Sequence, residues 1–176
     1  MKPRYRLIAL TSLLLMVLAA CGYHNPNVYT GPHRAIYLTE WKNRTSELGL
    51  DARLYQSLVR WFQNSDSLSI TKRKSEAQLM LAGEIVSISL PSRSYNNRNV
   101  TSEVKVELRV RYALKDLATD EIVLEEPGQT WTENYLVGGS ASDSSSNQQE
   151  AIATIISDIS ERIYQTSLRK LNQMPR

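Results

Sequence analysis

The clearest pattern in the chain is a strict alternation from Val100 to Leu114. Val100, Ser102, Val104, Val106, Leu108, Val110, Tyr112 and Leu114 form one set, and Thr101, Glu103, Lys105, Glu107, Arg109, Arg111 and Ala113 the other. Period-two alternation of this length predicts an antiparallel strand with one dry and one wet face. After a turn over residues 115–120, residues 121–136 predict a returning strand, in which Pro127-Gly128 marks a bulge or bend. Upstream, the aliphatic run Leu79 to Leu90 predicts a strand that Pro91 stops, followed by a polar loop over 92–99. Residues 34–41 (RAIYLTEW) and 68–71 predict two more extended segments.

Helical spacing replaces alternation in two places. Leu50, Leu54, Leu58, Trp61 and Phe62 line one face of a helix, with Asp51 in its first turn, where an acid suits the helix dipole. Asn64-Ser65-Asp66-Ser67 ends that helix. Ile152, Ile155, Ile156, Ile159, Ile163, Leu168 and Leu171 line a second helix. The stretch before it, Gly138 to Gln149, reads as a flexible low-complexity segment, with Asn147 and Glu150 spaced as a variant capping box. The sum is an α+β two-layer sandwich, with a mainly antiparallel sheet of about four strands and both helices on its dry face.

The N-terminus follows another logic. Lys2, Arg4 and Arg6 precede an uncharged apolar run, Leu7 to Leu18, too short to span a bilayer comfortably, since a spanning helix needs about 20 residues. This predicts a cleaved signal peptide over residues 1–20. Leu18-Ala19-Ala20-Cys21 resembles the lipobox of bacterial lipoproteins. That resemblance implies a diacylglycerol on the Cys21 sulfur, cleavage before Cys21 and an amide-linked acyl chain such as palmitate on the new amino group. Gly22, where inner-membrane lipoproteins of enteric-type bacteria usually carry Asp, implies by the same resemblance the outer membrane. Residues 21–34, rich in Pro, Gly and turn formers, read as a lipidated tether to a single domain over 35–172.

This changes the meaning of the charge. The formal net charge is +3, but the signal segment holds three basic residues and no acid, leaving 18 Lys+Arg against 18 Asp+Glu. A balanced chain gives no footing for a nucleic-acid partner. Cys21 is the only cysteine, so no internal disulfide is expected and an apolar core must hold the domain.

Catalytic signatures are thin. The two histidines, His24 and His33, both fall in the tether, so no catalytic site, His/Cys metal site or cofactor is expected. Ser144, Ser145 and Ser146 have no nearby histidine to activate them and read as linker. Glu125-Glu126 reads as a solvated strand end, and Tyr37, Tyr112 and Trp131 as core or edge residues. Lys105, Arg109 and Arg111 share the wet face of the 100–114 strand, with Arg93 and Arg98 in the loop before it. Glu103 and Glu107 share that face, so ordinary solvated pairs are the plain alternative there.

Cys21-Gly22-Tyr23-His24, the segment Asn43 to Leu50 (NRTSELGL), Ala77 to Ile85 (AQLMLAGEI) and Leu117 to Val123 (LATDEIV) together resemble the LptE family of lipopolysaccharide-assembly lipoproteins. The resemblance covers nearly all of the mature chain. It implies a non-enzymatic outer-membrane lipoprotein, anchored by lipid and facing the periplasm. Its partner would be the LptD β-barrel, whose lumen it plugs, and it would assist insertion of lipopolysaccharide into the outer leaflet. Barrel lumens are polar, which suits a two-layer domain with one polar sheet face. On this reading Lys105, Arg109, Arg111, Arg93 and Arg98 are expected to contact lipopolysaccharide phosphates or acidic residues of the barrel. An envelope adaptor that activates a peptidoglycan synthase is the competing expectation, and association with a barrel or with a synthase separates the two.

Overall fold

A computed structural model describes Tyr29 and residues 31–90, 102–137 and 140–174. Its elements run β1 (Arg34–Leu38), β2 (Lys42–Asn43), α1 (Leu50–Gln63), β3 (Leu68–Thr71), a 3₁₀ turn (Lys74–Glu76), β4 (Leu79–Ser89), β5 (Ser102–Asp116), β6 (Ile122–Val137) and α2 (Ala141–Asn172).

The alternation in β5 has the predicted consequence. Val106, Leu108, Val110, Tyr112 and Leu114 are buried, whereas Glu103, Lys105, Arg109 and Arg111 are exposed. β5 pairs antiparallel with β4 on one side and β6 on the other. The bend at Pro127-Gly128 is present as well. Tyr112 pairs with Glu126 and Val110 with Gln129, so β6 carries an extra residue opposite Arg111.

The sheet is larger than expected and mixed. Among the described residues it has six strands in the order β3-β1-β4-β5-β6, with β2 beside β4. β1 runs parallel to both β3 and β4, and β2 parallel to β4. Alternation identifies strands without identifying their partners. The passage from β1 through α1 to β3 is a helical crossover, the kind of connection a parallel pair needs. The step from β3 to β4 manages with seven residues, 72–78, because β4 starts where β3 stops: Thr71 pairs with Tyr37, and Leu79 with Ile36.

The first predicted strand is also broken. β1 ends at Leu38, and the chain resumes pairing with β4 at Lys42 after turning Trp41 into the core. The Trp41 ring lies over Gly83, where an added Cβ would come within 2.5 Å of it, and beside Tyr112 at 6.5 Å between ring centroids. Gly83 is thus the gap in β4 that admits the indole.

Both helices join one apolar core with the dry sheet face. α1 buries Leu50, Leu54, Leu58 and Phe62, and it meets α2 where Tyr164 packs edge-on against Phe62. α2 buries the predicted isoleucines. Its small Ser160 and Ser167 are buried too, each hydroxyl donating to a carbonyl one turn back.

Residues 141–149, expected to be flexible, are the first turns of α2. The true N-cap is Ser140: its hydroxyl accepts from the Asp143 N–H at 3.1 Å, and the Asp143 carboxylate accepts from the Ser140 N–H. Asn147 and Glu150 form no capping box, and the Asn147 amide donates instead to the Leu136 carbonyl. The serine-rich composition hides the register. Ser144 and Gln148 are buried on the stripe that Ile152, Ile155 and Ile159 continue, so polar side chains occupy the first core positions of this helix. Among the described residues no helix is long and apolar enough to cross a membrane.

Candidate functional site on the open sheet face

The wet face of β5 is set by the same register that buries its dry face. Arg111 stands opposite Glu84 on β4, Arg109 lies between Ser87 on β4 and Thr130 on β6, and Lys105 pairs with Asn134. The structure therefore brings Lys105, Arg109 and Arg111 onto one exposed surface, as the alternation predicted. Arg93 and Arg98 lie outside the described residues, as do Cys21 and His24.

The three cations differ in their surroundings. Lys105 is neutralised along its own strand, with Nζ 2.5 Å from Glu107 Oε1. Arg111 donates through Nε to Glu84 Oε1 at 2.7 Å. Arg109 has no carboxylate partner among the described residues. Its guanidinium lies over Gly128 of the β6 bulge, where an added Cβ would fall 2.8 Å from Nη2. The bulge thus leaves room for an extended, uncompensated cation at the centre of the open face.

Glu84 was not anticipated. It is the single charge in β4, and it is buried at 7% exposure. Besides Arg111 it accepts from Arg44 Nε at 3.0 Å, so one carboxylate joins β5 to the loop after β2. A lone acid at a wet-face position of an apolar strand was a readable signal, but its two arginines come from distant sequence. Their hydrogen bonds, that of Arg111 foremost, hold the Glu84 carboxyl below the usual carboxylate range against the opposing effect of burial.

A second pair closes the opposite end of the sheet. Asp116, at the end of β5, accepts from Arg34 Nη2 at 2.5 Å and from the N–H groups of Ala118 and Thr119. Burial pushes its carboxyl up, but the Arg34 and backbone hydrogen bonds outweigh that and hold it below the ordinary range. Both carboxylates are depressed in the folded state. Their stabilisation is complete above the unfolded carboxylate pKa of about 4 and is lost as pH falls through the folded values. Thermal midpoints should therefore hold from neutral pH down to about pH 5 and fall below about pH 4. Glu84→Gln should flatten part of that acid fall; a mutant curve parallel to the wild type would remove Glu84 from this account.

The remaining candidates take ordinary places. His33 is exposed just before β1, Ser144 is buried in α2, Tyr112 is a core residue, Trp131 is half-buried, and Glu125 and Glu126 directly precede the β6 bulge. Among the described residues no group of His, Cys, Asp or Glu is arranged to hold a metal ion.

Comparison with known proteins adds a family. The lipopolysaccharide-assembly family model LptE matches residues 34–167. No curated protein sequence matches the chain. Among solved structures, a protein from Xanthomonas campestris superposes with a TM-score of 0.55 at 12% identity, covering 85% of this chain and 91% of its own. A Caulobacter crescentus protein gives 0.53 at 13% identity, with 79% and 92% coverage. Lipoprotein B from Nitrosomonas europaea gives 0.51 at 15% identity, with 77% and 83% coverage. At these identities the likeness is one of fold.

Proposed function

Because the chain belongs to the LptE family of lipopolysaccharide-assembly proteins, we propose that it is a non-enzymatic, lipid-anchored outer-membrane protein that helps insert lipopolysaccharide into the outer leaflet as the plug and partner of an LptD-type barrel. The observation that carries this reading is the family match across β1 to most of α2. The architecture is compatible with it. The helices cover one sheet face, while the other remains open and polar, as a body housed in a polar lumen requires.

On this reading the open face meets the phosphates of lipopolysaccharide, and Arg109 is the leading contact. Arg offers a planar fork to phosphate, and the Arg109 fork is not already occupied by a carboxylate. Lys105 and Arg111 contribute less, because each is paired with a glutamate. Arg93 and Arg98 complete the proposed basic group from the preceding loop.

The test is binding of purified lipopolysaccharide by the Arg109→Glu variant, with folding verified by circular dichroism. Binding should weaken by about tenfold or more, equivalent to roughly 1.4 kcal/mol. Wild-type binding should also fall with salt, since exposed charges are screened over about 8 Å at physiological ionic strength. Arg111→Glu is a poorer probe, because it removes a partner of Glu84 and places a second carboxylate beside it. Unchanged binding by Arg109→Glu would remove this residue from the lipid site. Co-purification from detergent-solubilised outer membranes tests the partner independently: recovery with a peptidoglycan synthase in place of a barrel would overturn the assignment.

A further inference from the structure

β6 is the last strand of the sheet, and among the described residues no strand pairs with its outer edge. It is sixteen residues long, whereas the opposite edge strand, β3, has four. Exposed edges of this length are templates for another strand, and proteins usually blunt them with lysine, proline or a bulge. Here Pro127 and the bulge interrupt only the first half. From Gln129 to Val137 the register with β5 is unbroken, and this stretch holds neither proline nor lysine.

The edge does not face open solvent alone. A cleft of about 280 Å³ lies between it and the first turns of α2, lined by residues 133–136 of β6 and by Asn147, Glu150 and Thr154 of α2. A sheet edge with a helix alongside is the geometry in which extended peptides add a strand to a folded domain. The Leu136 carbonyl already accepts from the Asn147 amide at 2.9 Å, so the edge left open to an added strand ends at Tyr135.

The charge of this cleft selects its occupant. β6 carries three glutamates and no basic residue, and α2 has no basic residue before Arg162. Glu133 and Glu150 line the cleft, and neither has a cationic partner among the described residues. On the other side of the strand, Leu136 is 55% exposed. We infer that the outer edge of β6, from Gln129 to Tyr135, is a strand-addition site for an extended segment of a partner protein whose basic side chains alternate with apolar ones. The basic side chains face Glu133 and Glu150, and the apolar ones lie beside Leu136. A second copy of this chain is the wrong occupant, because edge-to-edge pairing would bring the glutamates of both copies together. The inference stands apart from the lipopolysaccharide reading, which concerns the open face of β5.

The probe is an octapeptide of alternating lysine and valine, added to the detergent-solubilised mature chain and followed by backbone amide NMR. Shifts should be confined to residues 129–137 and the facing turns of α2. A glutamate-valine octapeptide should bind at least tenfold more weakly. A lysine-valine peptide N-methylated at alternate amides, which keeps its charge but loses one edge of hydrogen bonds, should lose binding to a similar degree. Glu133→Lys with Glu150→Lys should reverse the charge preference. Absence of binding, shifts centred elsewhere, or equal binding of the N-methylated peptide would each overturn the site. So would a concentration-dependent doubling of mass without peptide that broadens the β6 amides.

Discussion

Ile159→Ala should lower the thermal midpoint of the domain by roughly 6–20 °C. Ile159 is fully buried. It lies on the stripe that runs from Ser144 and Gln148 through Ile152 and Ile155 to Ile163, which the helix presses onto the sheet. Removing such a side chain costs both the transfer of its methyl groups and the cavity left behind, together about 2–5 kcal/mol. A domain of this size is held by only about 5–15 kcal/mol. The neighbouring Ser157 faces solvent. Ser157→Ala should leave the midpoint unchanged or raise it slightly, since alanine is the better helix former. Circular dichroism melts of both variants and the wild type give the comparison, and similar small shifts for the two would mean that α2 does not rest on the sheet through this face.

What was legible in the sequence follows from which interactions are local. The alternation of Val104 to Leu114 states which side of β5 is dry, and the periodicity of Leu50, Leu54 and Leu58 states which side of α1 is buried. The Pro127-Gly128 bend is local too, because proline cannot donate to a ladder. Strand partners are not local. Nothing in RAIYL announces that it runs parallel to both LSIT and LMLAG, and only the helical crossover after it hints at a parallel pair. The start of α2 was hidden for a different reason. Its first core positions are Ser144 and Gln148, so a pattern sought in apolar residues begins one helical stretch too late, while the real start signal is the Ser140–Asp143 box. The candidate site divides in the same way. The placement of Lys105, Arg109 and Arg111 on one face was readable, whereas the pairing of Glu84 with both Arg44 and Arg111 depends on three separate elements and was not. That pairing alters the reading of the face, because it leaves Arg109 as the member of the trio without a counter-charge.

Cys21→Ser should abolish stable lipid anchoring, the largest functional effect expected of any single substitution. Serine keeps the shape of the side chain but replaces the thiolate needed to accept a diacylglycerol. The precursor should then retain residues 1–20, and no new amino group should form for acylation. A single acyl chain binds a bilayer only marginally, and stable anchoring needs a second signal. Diacylglycerol with an amide-linked chain exceeds that requirement, so its loss should shift the protein from a fixed to a readily displaced membrane fraction. The geometry sets how far the anchored domain can stand from the bilayer. Tyr29 is already buried, and its carbonyl accepts from the Ser67 hydroxyl at 3.3 Å, so only residues 21–28 lie between the expected lipid site and the first described residue of the domain. Eight residues reach at most about 26–29 Å when fully extended, so a lipid on Cys21 should hold the β1 end of the domain close to the membrane surface. Intact mass spectrometry provides the decisive measurement. The wild type should begin at Cys21 and carry the mass of three acyl chains, and Cys21→Ser should carry none and remain longer at its N-terminus. A wild-type chain that starts elsewhere, or carries no lipid, would remove the anchor and with it the outer-membrane placement.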